Sequence, residues 1–322
     1  MTLTATRRRA EDTAPPRPVR PKRRNGRPAW EEPPTAAGEA AKGVTLGGVL
    51  LAMLVPLWIV VLTSLSTRGS VNRAGGLVLW PDELTFEAYR VMLSDSTVRS
   101  ALLVSFGITA VGTAVSMAVS VMCAYGLSRS RSPGHRFLLG LLIVTMFVNG
   151  GLIPTFLVVV GLGGYGQWWA LILPSAVSVF NILILRAFYA STSADLIEAA
   201  RIDGAGDWRI LWSIVLPTSR AVTAVMALFY GVGYWNSFFN VMLYMPTESE
   251  KWPLQYVLFT YVNRGNGMPG SLNGGFGDQF SQTAPLSLQM AVVVLTLVPL
   301  LVVYPFVQKH FRTGVLTGAI KG

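Results

Sequence analysis

Long apolar runs alternate with shorter polar segments over most of the chain that follows residue 43. Six of these runs approach or exceed the ~20 residues that an α-helix needs to cross ~30 Å of hydrocarbon. They lie at residues 44–65, 100–126, 137–160, 168–188, 219–243 and 286–308. The pattern predicts an all-α integral membrane protein with six transmembrane helices.

The composition agrees with this class of protein. The 322 residues are 52% hydrophobic and only 13% charged, which is unlike an ordinary soluble domain. The single cysteine, Cys123, lies inside an apolar run, so a disulfide framework is excluded. The two histidines, His135 and His310, lie in separate polar flanks. We therefore expect no metal site and no cofactor.

Residues 1–43 differ from the rest, because they are rich in Pro, Arg, Ala and Glu and lack hydrophobic periodicity. Such a segment cannot bury enough apolar area to offset chain entropy. We expect a disordered cytoplasmic tail here, and not a signal peptide. Its ten Lys and Arg either contact anionic lipid head groups or remain solvated. Residues 44–322 then form the transmembrane domain.

The charges in the loops predict how the helices are oriented. With the N-terminus in the cytoplasm, twenty Lys and Arg fall on the cytoplasmic side and six on the outside. The positive-inside rule favours this orientation, in which both termini and the segment between the fourth and fifth spans are cytoplasmic. The net charge of +10 then follows from membrane topology, and we expect no nucleic-acid partner.

That segment, residues 195–217, is a polar island between two apolar runs, and its pattern predicts two short helices joined by a tight turn. Asp195 followed three residues later by Glu198 has the form of a capping box. Ala199 and Ala200 give the first helix a narrow face with little side-chain bulk.

Gly204 and Gly206 supply the permissive backbone that a helix end and a reversal require. A second helix is predicted to follow, with one apolar face at i, i+3, i+4 and i+7 formed by Trp208, Leu211, Trp212 and Val215. Pro217 marks the point where this helix stops or kinks. The hairpin suits rigid docking to a partner; the alternative is an amphipathic connector that lies on the membrane surface.

The spacing in this hairpin resembles the "EAA" signature of the membrane-spanning subunits of ATP-binding-cassette (ABC) importers. Glu-Ala-Ala is followed after three residues by Gly, after nine more by Ile, and after one more by Leu-Pro. Many sugar importers also carry the Asp-Gly-Ala found here, whereas Ala221 replaces a proline often seen after the Leu-Pro. The residues that the resemblance assigns to ATPase coupling are Glu198, Ala199, Ala200, Asp203, Gly204, Ala205, Ile214, Leu216 and Pro217.

Three further stretches extend the resemblance to sugar-importer permeases. Residues 81–89 match the Pro-x-x-(Leu/Phe)-Thr-x-x-x-Tyr pattern that commonly follows the first helix in that family. Residues 149–154, Asn-Gly-Gly-Leu-Ile-Pro, are similar to one branch whose members take up oligosaccharides and uronate-bearing fragments. Residues 314–322 resemble the usual end of the family. The Asn-Gly-Gly run should also kink or break the third span.

The fifth span combines aromatic rings and amides over residues 230–240, and this chemistry suits a sugar. Rings stack on the C–H surface of a sugar and amides bind its hydroxyls, while buried amides are costly in a membrane without partners. The candidate pathway residues are Asn149, Tyr234, Trp235 and Asn236. The alternatives are a packing kink in the third span and an aromatic belt at the membrane interface, which we favour for Phe238 and Phe239.

The resemblance implies a permease subunit of an ABC importer in the bacterial plasma membrane, with a carbohydrate of oligosaccharide size as substrate. It also implies a second permease subunit in a heterodimer, two ATPase subunits at the cytoplasmic face and an extracellular solute-binding protein. The chain has no Gly-x-x-x-x-Gly-Lys-Ser/Thr phosphate loop, so we expect a transport subunit and not an enzyme.

Two other functions stay open. One is an ABC permease for another solute, such as a peptide. The other is an ATP-independent secondary transporter, which would normally have inverted repeats and ionisable residues within its spans. The sequence has neither feature.

Overall fold

The computed structural model describes residues 35–129, 134–148, 150–192, 194–264 and 285–319. The prediction of a disordered tail falls mostly on residues outside these ranges, and Asn149 also lies outside them. The first helix begins at Ala36, within the segment predicted to be a tail, and therefore earlier than the predicted start at residue 44.

The described chain is helical almost throughout. In chain order the helices are α1 Ala36–Ser64, α2 Arg68–Arg73, α3 Glu87–Ser94, α4 Ser96–Ser128, α5 His135–Phe147, α6 Leu152–Gly161, α7 Trp169–Ile172, α8 Val179–Ala190, α9 Ala194–Ile202, α10 Asp207–Ile210, α11 Leu216–Thr218, α12 Arg220–Trp235, α13 Phe239–Tyr244, α14 Leu254–Arg264 and α15 Pro285–Ala319. One-turn 3₁₀-helices lie at Leu173–Ser175 and Ser249–Lys251, and a π-helix lies at Leu211–Val215.

Three of these helices are long and apolar enough to cross a membrane: α1, α4 and the Pro285–Pro305 part of α15. Three bent pairs pass the same test when each pair is taken together: α5 with α6, α7 with α8, and the Asp207–Thr218 rod with α12. The predicted all-α membrane fold is confirmed, and the predicted six spans are reached if each bent pair counts as one span.

The third span is interrupted where the sequence places its glycines. Helix α5 ends at Phe147 and α6 begins at Leu152, with Gly151 in front of it at a φ of 84°. A side chain at that φ would be strained, so glycine makes this entry into α6 possible.

The fourth span, predicted at residues 168–188, contains a break. Helix α7 passes into the 3₁₀ turn Leu173–Ser175, and α8 then leaves at an angle of 53°. Pro174 explains the break, because it has no N–H to donate and its ring blocks a continuing α-helix. Ser178 restarts the helix, since its Oγ accepts a hydrogen bond from the Asn181 N–H at 3.4 Å.

Helix α4 is the axis of the bundle. Buried residues recur on one side of α4 at spacings of three and four, and most of them are small: Ala101, Ser105, Ile108, Gly112, Ser116, Ser120, Ala124 and Leu127. This spacing gives one continuous stripe, and small side chains on it allow neighbouring membrane helices to approach closely. Helices α12 and α8 both pack along α4.

The closest approach in this packing is at Gly112. A Cβ at this position would lie 2.8 Å from the Tyr234 ring, and that ring cannot move aside freely because its hydroxyl is hydrogen-bonded at the far end. We expect Gly112→Ala to lower the free energy of unfolding by about 1–3 kcal/mol, as overpacking does in a filled core. Thermal unfolding of the detergent-solubilised protein measures this change.

Gly107→Ala is the matched control, because it lies on the same helix and its added Cβ would meet no atom within 4 Å. This control should unfold at or slightly above the wild-type temperature, since alanine is the better helix former. Equal unfolding temperatures for the two variants would contradict the close α4–α12 packing.

The buried apolar residues form two main clusters. The first joins α3, α4, α12, α13, α14 and α15, and Met92, Leu254 and Leu288 are among its fully buried members. The second joins α4, α8, α12 and the Asp207–Thr218 rod. We call this second cluster the hairpin core, because the segment between α8 and α12 packs on it.

Two connecting segments contain helices. The sequence after the first span, at residues 80–89, predicts a turn that leads into a short amphipathic helix. That helix is α3, which buries Ala88, Val91 and Met92. The Tyr89 hydroxyl lies 2.6 Å from Ser64 Oγ, and burial raises the pKa of Tyr89 above its usual value. Residues 245–285 lack hydrophobic periodicity, which predicts a long outer loop. In its described part, α14 forms a helix over Leu254–Arg264.

Candidate functional site

The segment between α8 and α12 folds as the predicted hairpin. Its first arm, α9, begins at Ala194, so Asp195 lies within the first turn of the helix. The predicted capping-box position of Asp195, in front of the helix, is therefore wrong by about two residues, a difference that is common at helix ends.

The first arm closes in the hydrogen-bond pattern of a Schellman motif. The Gly204 N–H donates to the Arg201 carbonyl at 3.0 Å, and the Ala205 N–H donates to the Ala200 carbonyl at 2.9 Å. Gly204 has a φ of 79°, a left-handed conformation that side chains rarely adopt. Gly206 has an ordinary φ of −73°, so this position does not need glycine.

The second arm, Asp207–Thr218, is a rod with the π-helix at its centre. Leu211 and Val215 are buried in the hairpin core, whereas Trp208 and Trp212 expose 64% and 65% of their surface. The predicted single apolar face is therefore wrong. The i→i+5 bonding of a π-helix alters the register on which that face was predicted, and the two tryptophans lie away from the core.

The hairpin has an anchored side and an exposed side. The residues of the coupling signature that pack against the hairpin core are Ala200, Ala205, Ile214 and Leu216. Its exposed residues are Glu198, Ala199, Asp203 and Gly204, while Pro217 is half-buried in α11. Within the described part of the chain, no ion pair or side-chain hydrogen bond holds Glu198.

Large apolar side chains are also exposed on the hairpin. Leu196 and Ile202 on the first arm expose 53% and 82% of their surface, in addition to the two tryptophans of the second arm. Exposed apolar residues with polar neighbours are typical of a protein contact surface. The arrangement can therefore receive a partner while its other side stays fixed to the bundle.

A second candidate site is a cavity of about 460 Å³ beside the break in the fourth span. Hydroxyl groups, amides and aromatic rings form its wall, which consists of Ser175, Ser178, Asn181, Phe229, Tyr230, Gly233, Tyr234, Asn236, Ser237, Phe238, Phe239 and Asn240. Its volume is typical of small-molecule sites.

The structure brings two of the four predicted pathway residues to this cavity. Tyr234 and Asn236 line it, and the Asn236 side chain is exposed. Trp235 is only 4% exposed and faces the bundle, where its Nε1 donates to the Thr296 carbonyl at 3.0 Å. The prediction for Asn149 concerns a residue outside the described ranges.

Phe238 and Phe239, for which an interfacial belt is predicted, both line the cavity. Phe238 also stacks on Phe259 of α14 with ring centroids 5.1 Å apart. Helix α12 ends at Trp235 and α13 begins at Phe239, so the fifth span predicted at residues 219–243 contains a break at this point.

Two tyrosines connect the cavity wall to the broken fourth span. The Tyr234 hydroxyl donates to the Ile172 carbonyl at 3.0 Å and lies 2.8 Å from Ser116 Oγ. The Tyr230 hydroxyl accepts from the Ser178 N–H at 3.2 Å and lies 2.7 Å from Ser120 Oγ. A broken helix leaves backbone groups that must find partners inside a membrane.

Sequence reasoning missed Tyr230, Ser178, Asn181 and Asn240 as wall residues. Tyr230 could have been found, because it lies four residues before Tyr234 and so on the same face of the helix. The two asparagines come to the wall from different helices, and no local pattern in the sequence joins them. Among the described residues no group of three or more His, Cys, Asp or Glu could hold a metal ion.

A bundle of membrane helices, a hairpin anchored on one side and a polar cavity within the bundle are the features of a helical membrane transport subunit. The chain belongs to the family described as "Binding-protein-dependent transport system inner membrane component", whose model matches residues 114–317.

Relatives and a solved structure agree with this family. The chain is 44% identical over 246 residues to the polygalacturonan/rhamnogalacturonan transport system permease protein YtcP of Bacillus subtilis, covering 76% of this chain and 85% of that protein. It is 39% identical to the protein LplC of the same organism, covering 86% and 92%. A crystal structure of a bacterial ABC transporter involved in the import of the acidic polysaccharide alginate contains a chain that matches with a TM-score of 0.80 and 29% identity, covering 87% of this chain and 100% of that chain.

The resemblance to ABC importer permeases is therefore confirmed. The chain is a multi-pass membrane protein and a transport subunit rather than an enzyme. Members of such a system work with a solute-binding protein and with an ATPase.

Proposed function

We propose that this protein is the permease subunit of an ABC importer that moves an oligosaccharide into the cytoplasm. The single observation that carries the choice of substrate is the cavity wall, where hydroxyls, amides and aromatic rings converge. Sugars are bound by ring stacking on their C–H surfaces and by hydrogen bonds to their hydroxyls. The polygalacturonan/rhamnogalacturonan named for one relative and the acidic polysaccharide alginate named for the similar structure support the same class, and they favour chains that contain uronate units.

The proposed assembly is a heterodimer of this chain with a second, different permease. Two ATPase subunits bind at the cytoplasmic face, and an extracellular binding protein delivers the sugar. The excess of basic residues in the cytoplasmic loops supports a bacterial plasma-membrane protein with both termini in the cytoplasm. In this orientation the hairpin faces the ATPase, as docking requires.

In this proposal the hairpin is the element that the ATPase moves. Glu198 offers the motor an exposed carboxylate, and Ala199 beside it lets the partner approach closely. Ala200 and Ala205 fix the hairpin to its core, and Gly204 holds the turn between the arms. Closure of the ATPase pair on ATP then moves the hairpin as a lever, and the spans rock between inward-open and outward-open states.

The test is uptake by proteoliposomes that contain the complete importer, with labelled oligogalacturonate, a neutral oligosaccharide and a peptide offered in turn. We expect saturable sugar uptake that requires both ATP and the binding protein. Uptake of the peptide alone would favour the alternative permease class. Sugar uptake by this chain without an ATPase would show a secondary transporter and overturn the proposal.

A further inference from the structure

The hairpin is attached to the bundle through Asp207, a residue that is not part of the EAA-type signature. Asp207, the first residue of the second arm, forms an ion pair with Arg129 at the end of α4, with Nη1 and Oδ1 2.5 Å apart. The Tyr125 hydroxyl donates to the Asp207 backbone carbonyl at 3.0 Å. One residue of the hairpin is thus held by both its side chain and its backbone.

The three residues form a closed cluster. The Arg129 guanidinium lies over the Tyr125 ring, 4.5 Å from its centroid, and also donates to the Tyr125 hydroxyl. Arg129 is the C-cap of α4, and Asp207 begins α10. A cation at a helix C-terminus and an anion at a helix N-terminus are each favoured by the helix dipole. The dipoles of α4 and α10 therefore both stabilise the charges of this ion pair.

Stability alone does not account for this arrangement. The Asp207 side chain is 67% exposed and the Arg129 side chain 22% exposed, and exposed ion pairs contribute little to stability. The geometry is nevertheless specific, since two contacts on one residue fix the direction in which the second arm leaves the bundle. A positioning role follows more directly from the geometry than a stabilising one.

The covalent connections of the hairpin are poorly suited to carry movement. The second arm meets α12 at a bend of 88°, and the chain leaves α8 through the turn that follows Ala190. Helix α4, in contrast, is continuous over 33 residues. From Arg129 it reaches Ser116, the partner of Tyr234 in the cavity wall, over about 20 Å at 1.5 Å per residue.

We propose that Arg129 and Tyr125, through Asp207, tie the hairpin to α4, and that α4 carries the movement of the hairpin to the cavity wall. This inference rests on the proposed function, and it adds positioning residues that the EAA-type signature does not contain. A second arginine, Arg201 on the first arm of the hairpin, lies 3.9 Å from the Asp207 carboxylate. The contribution of Arg129 must therefore be tested directly.

The experiment uses the complete importer in proteoliposomes and measures the sugar transported per ATP hydrolysed, together with the amount of ATPase subunit that co-purifies. The variants are Arg129→Gln, Asp207→Asn and the two combined. We expect Arg129→Gln to lower the transport-to-hydrolysis ratio about fivefold or more, as the loss of a coupling interaction does. Asp207→Asn should lower this ratio less, because the backbone carbonyl of residue 207 still accepts a hydrogen bond from the Tyr125 hydroxyl.

If the Arg129 and Asp207 side chains act as one pair, the combined variant will have a transport-to-hydrolysis ratio no lower than that of Arg129→Gln alone. Arg73→Gln is the matched control, since Arg73 and Asp82 form an exposed ion pair of 2.7 Å in another part of the chain, and its ratio should stay at the wild-type value. If Arg129→Gln does not assemble, the more exposed Asp207→Asn decides the question.

Wild-type ratios in all variants, with the ATPase still bound, would overturn the link through α4, and so would losses that multiply in the combined variant. These results would leave the proposed function intact. Failure of the ATPase to co-purify with the wild-type protein would instead count against the proposed function itself.

Discussion

Replacing Gly204 with valine is expected to abolish most ATP-driven sugar uptake while the protein still accumulates in the membrane. Gly204 has a φ of 79°, and a β-branched residue in that conformation costs about 1–2 kcal/mol. An added Cβ would meet no atom within 4 Å, so the penalty comes from the backbone and not from a clash. The chain can relieve it only by opening the Schellman closure, which redirects one arm of the hairpin.

A penalty of this size corresponds to about a 5–30-fold change in the population of the docked hairpin, and uptake by the reconstituted importer should fall accordingly. The ATPase subunit should also co-purify less well. Gly206→Ala is the control, because its φ of −73° is ordinary and its new Cβ also has open space. We expect uptake within about twofold of wild type for this surface change. Normal transport by Gly204→Val would refute the lever role of the hairpin.

Removing the hydroxyl groups of Tyr230 and Tyr234 from the cavity wall is expected to lower both the stability of the protein and its sugar uptake. The variant Tyr230→Phe with Tyr234→Phe keeps both rings but leaves the Ile172 carbonyl and the Ser178 N–H without their hydroxyl partners. A buried polar group that loses its partner costs about 1–3 kcal/mol, so the double variant should lose about 2–6 kcal/mol of stability. Thermal unfolding in detergent measures the loss, and uptake should fall with it.

Tyr244→Phe separates this effect from a general sensitivity to tyrosine replacement. Tyr244 is equally buried and stacks on Phe156, but within the described residues its hydroxyl has no hydrogen bond that the substitution would remove. We expect its stability to stay within about 0.5 kcal/mol of wild type. A double variant as stable and active as this control would show that the tyrosine hydroxyls do not support the broken span.

The sequence was sufficient where a local rule decided the structure. The lengths of the apolar runs located the spans, because a helix must satisfy its own backbone in lipid. Gly204 was found because a helix end followed by a reversal needs the left-handed conformation. The interruption of the third span was also found, since an amide, two glycines and a proline in close succession favour a kink or a break in a helix.

Longer-range contacts decided the features that were missed. The break at Pro174 is tolerated because Tyr230 and Tyr234, more than fifty residues away, provide partners for the freed backbone groups. Trp235 adjoins a wall residue in sequence, yet its indole faces α15. Trp208 and Trp212 fit a buried face by spacing, but the π-helix changes the register. Each of these features depends on tertiary contacts or backbone geometry that a local sequence pattern does not reveal.

The uncharged wall of the cavity has a consequence for selectivity. Its described side chains are hydroxyls, amides and aromatic rings, and no carboxylate, guanidinium, ammonium or imidazole group is among them. This surface should therefore accept neutral and acidic sugar chains alike, and acidification of the medium should leave the affinity of the cavity wall for a neutral sugar unchanged. In the proposed assembly, selection by charge would then depend on the binding protein and on the second permease, whereas this chain would provide a general passage for hydroxyl-rich chains.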